Sequence, residues 1–306
     1  MDNDTVNNDT ADRERQKDKD MNTEFIVIGS GELAVKTAAC LMDRDVKVCL
    51  YEKTIYSESS VRKMCLKRKI PYELLSSAQI SEKLKEALSH GPVKVISAVN
   101  TYIFPAEIVD HPNFCGINYH NALLPDHRGM NAEAWAIYDM DPYTGITWHY
   151  IDAAVDKGKI ISQRTCPVNK DTTSLSLLME QSALAFEAFE EFADDFIHGM
   201  PHAEEQDQHT TRLHRIRDIP NDGYIDLSWN TEKTMAFLRA MDYGKLDNLG
   251  IPKIRVDDQV YMWKRYKLVP HDPGITEPIS FVNGDMVLFK GDQDQDILLK
   301  KVKKAE

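Results

Sequence analysis

The stretch EFIVIGSGELAVKTAACLMDRDVKVCLYEK, residues 24–53, constrains the fold more than any other. It reads as a buried strand, a glycine-bearing turn, a helix and a second buried strand. Near-continuous apolar strands are those covered on both faces, and parallel neighbours need a crossover of a dozen or more residues, which the helix supplies. Further apolar strands are predicted at VKVISAVN (93–100), CGINYH (115–120) and GITWHYI (145–151). Strands alternating with helices imply an α/β protein with an open, mostly parallel Rossmann-like sheet, whose ligands sit beyond the carboxyl ends of the strands.

At 306 residues the chain is long enough for two domains. Residues 1–22 are nearly free of apolar side chains and are expected to form a disordered tail. A catalytic domain is expected over 23–204, ending in an amphipathic helix that starts at a cap on Asp171 or Thr172 and stops at Gly199. Leu175, Leu178, Met179, Phe186, Phe189 and Phe196 would form the apolar face of that helix. From 205 to 306 short strands with turn signals at Asp222-Gly223 and Asn283-Gly284 predict a smaller, mostly β domain. One helix, in TEKTMAFLRAMDYG, interrupts it.

Composition removes several functions. The net charge of −12 repels polyanions, because Lys and Arg contacts to phosphate supply most nucleic-acid affinity, so a nucleic-acid partner is disfavoured. A small-molecule or carrier-bound partner is left. No apolar run is long enough to span a membrane and the first twenty residues are too polar for a signal peptide, so a cytoplasmic location without membrane attachment is expected. The five cysteines, Cys40, Cys49, Cys65, Cys115 and Cys166, form no C-x-x-C pair. His111, His120, His127 and His149 stand at no zinc-ligand spacing, so no metal is expected.

Two motifs carry chemistry. Gly29-x-Gly31-x-x-Ala34 with Glu52 about twenty residues on has the form of a dinucleotide fingerprint, although any tight strand-to-helix turn in such a sheet also needs glycine. The second motif is Asn118 and His120 at one strand end, followed by Asp156 in VDKGKII. Residues i and i+2 of a strand share a face, so the carboxamide and the imidazole can face one pocket, and a carboxylate from the next loop can orient or charge the histidine. Such a trio suits acyl transfer to an amine: N–H donors for the oxygen that gains charge, and a base for the amine's proton.

NYHNALLPDHRG, TGITWH and VDKGKII, in that order, resemble the formyltransferase family that uses 10-formyltetrahydrofolate. DGYIDLSWNTEKTMAFLRAMDYG is similar to the segment that opens the carboxyl-terminal domain of its two-domain members. The resemblance covers roughly residues 23–290 and implies that Asn118, His120 and Asp156 are the catalytic trio, with Asp156 raising the histidine's pKa. It implies 10-formyltetrahydrofolate as co-substrate, held against VNTYIF and the loop after Ile151, with Tyr102, Ile103, Leu123 and Asp152 as its contacts. Arg128 and Asn131 would hold the acceptor.

RGMNAEAWAI, GITWHYI and AMDYGKLDNLGIPKI look most like members associated with nonribosomal peptide assembly, so the expected acceptor is an aminoacyl group or amino acid in natural-product biosynthesis. The alternative within the family is an amino-sugar nucleotide. Hydrolysis of the formyl group to formate shares the trio and differs in the acceptor. Outside the family stand an NAD-binding oxidoreductase built on Gly29, Gly31 and Glu52, and a non-catalytic carrier-binding module. Oligomeric state is left open by the sequence, a homodimer included.

Overall fold

The computed structural model describes residues 23–54, 59–207, 213–246 and 248–305. The expected tail at 1–22 lies outside them. These residues form two compact units that interleave along the chain. The described residues of 1–128, 146–164 and 181–211 form one, those of 129–145, 165–180 and 212–306 the other. The expected boundary at 204–205 is a single cut, whereas the chain exchanges between the units several times.

The first unit is built on a seven-stranded sheet, in the order β3-β2-β1-β4-β5-β7-β8. The strands are β1 Glu24–Gly29, β2 Val48–Lys53, β3 Tyr72–Leu75, β4 Val93–Ala98, β5 Phe114–His120, β7 Tyr143–Tyr150 and β8 Ile160–Pro167; β6 is the short Arg128–Gly129. Parallel pairing runs from β3 to β5. β7 is antiparallel to β5, which places His149 opposite Asn118 and Thr147 opposite His120.

Alternation along β1 divides the core. Phe25 and Val27 enter one cluster with Leu33, Ala38 and Leu41 of helix α1 (Gly31–Met42), while Ile26 and Ile28 enter another with Ile80, Leu84 and Leu88. Those three lie on α3 (Ser77–His90), which follows α2 (Ser60–Arg68) and opens with a capping box of Ser76 and Gln79. The short α4 (Ala106–Val109) leads into β5. The edge strand β3 is not among the sequence-predicted strands. It is four residues long with one buried side chain, too short to show a period.

In the second unit α5 (Ala132–Asp139) packs on α7 (Thr231–Ala240). The remaining strands are β9 Leu213–His214, β10 Tyr224–Ile225, β11 Lys253–Val256, β12 Gln259–Met262, β13 Arg265–Pro270, β14 Ile279–Val282, β15 Asp285–Leu288, β16 Gln295–Lys300 and β17 Lys303–Lys304. Strands β10 to β17 form two four-stranded sheets, β10-β11-β12-β17 and β13-β16-β15-β14. Asn283 and Gly284, at φ 52 and 82°, make the predicted hairpin turn between β14 and β15. Asp222-Gly223 instead closes a 3-10 turn at Pro220–Gly223.

Helix α6 (Ser174–His198) is the predicted amphipathic helix. Its cap is Thr173 rather than Asp171 or Thr172: the Ser176 N–H donates to Thr173 Oγ1 at 3.2 Å and the Thr173 N–H to Ser176 Oγ at 2.9 Å. Met179 is exposed and Leu177 is buried in its stead, because the apolar face is set one position off the expected stripe at this end. Farther along, Ala185, Phe189, Phe192 and Phe196 are buried as a core face, with Trp148 Nε1 donating to Ala185 O at 2.8 Å.

Candidate active site

On β5, Ile117 and Tyr119 turn into the core cluster that holds Trp148 and Phe189, so Asn118 and His120 turn to the other face. β7 repeats the alternation: Trp148 is core, while Thr147 and His149 join the face of Asn118 and His120. The loop after β7 returns Asp156 to the same place. His120, His149 and Asp156 are 4, 2 and 9 % exposed. Asp156 Oδ2 lies 3.6 Å from His120 Nδ1, and its Oδ1 lies 3.6 Å from His149 Nε2. One carboxylate is thus flanked by two imidazoles.

Hydrogen bonds fix the rings. Asn118 Nδ2 donates to His149 Nε2 at 3.1 Å, and His149 Nδ1 donates to Tyr150 O at 2.8 Å, so both ring nitrogens are engaged. One of the two amide N–H groups of Asn118 is used in this way. His120 Nε2 donates to His127 O at 3.0 Å, which directs Nδ1 at Asp156. Burial pushes the His120 imidazole below its usual pKa; Asp156 pulls upward, and burial outweighs it. Asp156 raises this pKa as the sequence suggested, but the net direction is down, because an imidazolium enclosed here loses more hydration than one carboxylate at 3.6 Å restores.

The Leu123-Leu124-Pro125 loop is held by side chains from β7, β8 and α6. Thr147 Oγ1 donates to Ala122 O at 2.7 Å and accepts from the Leu124 N–H at 3.1 Å. Gln163 Nε2 donates to Leu124 O and to Thr147 Oγ1, at 3.0 and 2.9 Å, and Gln181 Nε2 donates to Asn121 O at 2.8 Å. The Leu124-Pro125 peptide is cis. Thr147, His149 and Gln163 are absent from the sequence-predicted site. Alternation on GITWHYI could have flagged Thr147 and His149, had the antiparallel register with β5 been readable.

The VDKGKII turn is shaped by two backbone demands. Asp156 sits at φ 54°, a left-handed conformation uncommon outside glycine. A Cβ on Gly158 would lie 1.7 Å from Tyr150 O, so only glycine fits there.

The residues expected to meet the co-substrate divide. Tyr102 is a core residue: its ring is buried in the cluster beneath α3, edge-on to Phe104, and its hydroxyl meets Ser81 Oγ at 2.8 Å. Ile103, beside it, is 70 % exposed, and Leu123 is half-buried. Asp152 is exposed and accepts from the Ala154 N–H at 3.1 Å, forming a turn. Arg128 is half-buried and ends the first segment of the first unit. Asn131 belongs to the second, where at φ 56° it begins α5 without a side-chain cap bond.

The glycine-bearing first turn has structural duties. A Cβ on Gly29 would lie 1.8 Å from Ala98 O, and Ser30 bonds the carbonyls that end β4 through its N–H and its hydroxyl. Glu52 accepts from Tyr72 OH at 2.6 Å and from the Ser59 hydroxyl.

The family model described as formyl transferase matches residues 13–189, more than half of the chain. The chain belongs to the formyl transferase family. It is a one-carbon group transferase, and the oxidoreductase alternative falls with that membership: Gly29 serves close strand packing and Glu52 is held by Tyr72 and Ser59. Among curated relatives, a GDP-perosamine N-formyltransferase of Brucella melitensis is 26 % identical over 245 residues, covering 78 % of this chain and 92 % of that protein. A methionyl-tRNA formyltransferase of Lysinibacillus sphaericus is 36 % identical over 119 residues, 39 % of this chain and 38 % of the other. Among solved structures, the N-formyltransferase of Helicobacter canadensis in complex with folinic acid and dTDP-3-aminofucose shares the fold. Its TM-score is 0.70 at 16 % identity, over 92 % of this chain and all of that one. Among the described residues, no helix is long and apolar enough to cross a membrane.

Proposed function

We propose that the enzyme moves the formyl group of 10-formyltetrahydrofolate to the amino group of a nucleotide-linked amino sugar, with Asn118, His120 and Asp156 as the reacting constellation. The observation that carries the reading is the convergence of two imidazoles on one buried carboxylate, one of them also bonded by the Asn118 amide. An amino-sugar acceptor replaces the aminoacyl acceptor expected from the sequence. The relative matched over nearly its whole length formylates GDP-perosamine, and the solved relative reported above holds folinic acid with a dTDP-amino sugar. The net charge of −12 argues against tRNA.

The residues past β4 suit an apolar ring system: Ile103 and Val99 are exposed, and Val99 holds a left-handed φ of 55° that is costly for a β-branched side chain. Bound 10-formyltetrahydrofolate supplies the formyl carbon and departs as tetrahydrofolate. The acceptor amine attacks that carbon, forming the new C–N bond as the carbonyl pair moves to oxygen. Asn118 donates to that oxygen through its second amide N–H. Burial holds His120 neutral before reaction, so the Asp156–His120 pair takes the amine's proton. His120, charged by it, stabilises the oxygen and returns the proton to the leaving nitrogen.

The test is tetrahydrofolate release from 10-formyltetrahydrofolate with GDP- and dTDP-linked amino sugars, aminoacyl carrier proteins and methionyl-tRNA offered separately. Release with an amino-sugar nucleotide, abolished in Asp156→Asn, supports the reading. Release with only a carrier-bound or tRNA-bound amine, or formate release that no acceptor accelerates, overturns it.

A further inference from the structure

Segment 200–207 lies beyond the stretch matched by the family model, yet it reaches the turn that carries Asp156. Glu204 and Ile160 exchange both backbone hydrogen bonds at 2.8 Å, an antiparallel bridge against the start of β8. Two residues on, Gln206 Nε2 donates to Asp156 O at 2.9 Å and to Gly158 O at 2.8 Å. Both N–H groups of one amide thus span the turn, from the residue with the left-handed φ to the glycine pressed on Tyr150 O.

We infer that Gln206 is a positioning residue for formyl transfer, holding the Asp156 turn so that its carboxylate stays between His120 and His149. The inference rests on the reading of Asp156 under Proposed function. A left-handed aspartate has easier backbone conformations available, and the two donated bonds oppose its relaxation. Displacement of a reacting group by about 1 Å costs on the order of 100-fold in rate. The groups facing His120 are Asp156 from the turn, His149 from β7 and His127 from the loop after β5; of these, Asp156 alone raises its pKa through charge, so a displaced turn changes how His120 titrates.

Gln206→Met keeps length and volume and removes both donors; Gln206→Glu keeps the shape and, ionised, has no donor either. The side chain is half-buried and outside the main core, so a methionine is accommodated. Expected are kcat/KM values about 30- to 100-fold below wild type in both variants, an unchanged circular dichroism spectrum, and an NMR titration of His120 displaced to lower pH in Gln206→Met. Wild-type kcat/KM within threefold in a folded Gln206→Met, while Asp156→Asn is inactive, overturns the inference. If Gln206→Met does not fold, the same criterion applies to Gln206→Glu. Should Asp156→Asn retain full activity, the assignment of Asp156 fails instead, and the His120 titration decides for Gln206: an unmoved curve overturns its role and a displaced one upholds it.

Discussion

Asn118 and His149 stand opposite each other across the antiparallel β5–β7 pair, and the amide of one donates to the ring nitrogen of the other at 3.1 Å. The bond orients the amide that the proposed mechanism sets against the reacting oxygen. Asn118→Ala is therefore expected to lower kcat by roughly 100- to 1000-fold with little change in Tm, since the side chain is half-buried and replaces no core contact. Steady-state kinetics with calorimetry checks both halves; full turnover in a folded variant removes Asn118 from the mechanism.

His149→Phe keeps a planar ring and deletes the acceptor. The amide then loses its anchor while both of its N–H groups remain, so a milder loss is expected, roughly 10-fold in kcat, with KM for the acceptor near wild type. A loss as large as that of Asn118→Ala would mean that His149 takes part directly.

Burial depresses the His120 pKa in the folded protein, so the unfolded chain binds more protons as pH falls below the usual histidine value of about 6.5. The stability that depends on a neutral His120 is complete above that pH and is lost as pH falls toward the lower folded value. Urea unfolding at pH 7.5 and 5.5 is expected to show a larger drop for wild type than for His120→Asn. Equal drops would show that His120 does not titrate as its burial demands.

Thr147→Val preserves shape and removes the hydroxyl that serves Ala122 O, Leu124 N and Gln163 together. The expected destabilisation is about 1–3 kcal/mol, with activity falling further than stability because the loop after β5 loosens. Denaturant melts alongside kcat/KM separate the two effects.

Gly158→Ala forces a Cβ against Tyr150 O at 1.7 Å, and Gly29→Ala does the same against Ala98 O at 1.8 Å. Backbone must move in both cases, and destabilisation of at least about 2–4 kcal/mol is expected from each. Gly31→Ala meets no atom within 4 Å but sits at φ 71°, so about 1 kcal/mol is expected. Thermal melts of the three variants should rank accordingly.

Local pattern determined much of this protein. The period-2 alternation of β5 placed Asn118 and His120 on one face, apolar runs located β1, β2, β4 and β7, and Asn283-Gly284 announced its hairpin. Each of these depends on neighbours a few residues away, where backbone sterics and alternation act. Other features depend on partners far along the chain, and only the tertiary structure decided them. His149 joined the site through the register of β7 on β5, Tyr102 went into the core beneath α3, and Gln206 reached the Asp156 turn across 50 residues of sequence. The protonation state of His120 belongs to the same class: the sequence supplied a carboxylate to raise its pKa, but the depth of burial that lowers it is the sum of every element packed around the ring.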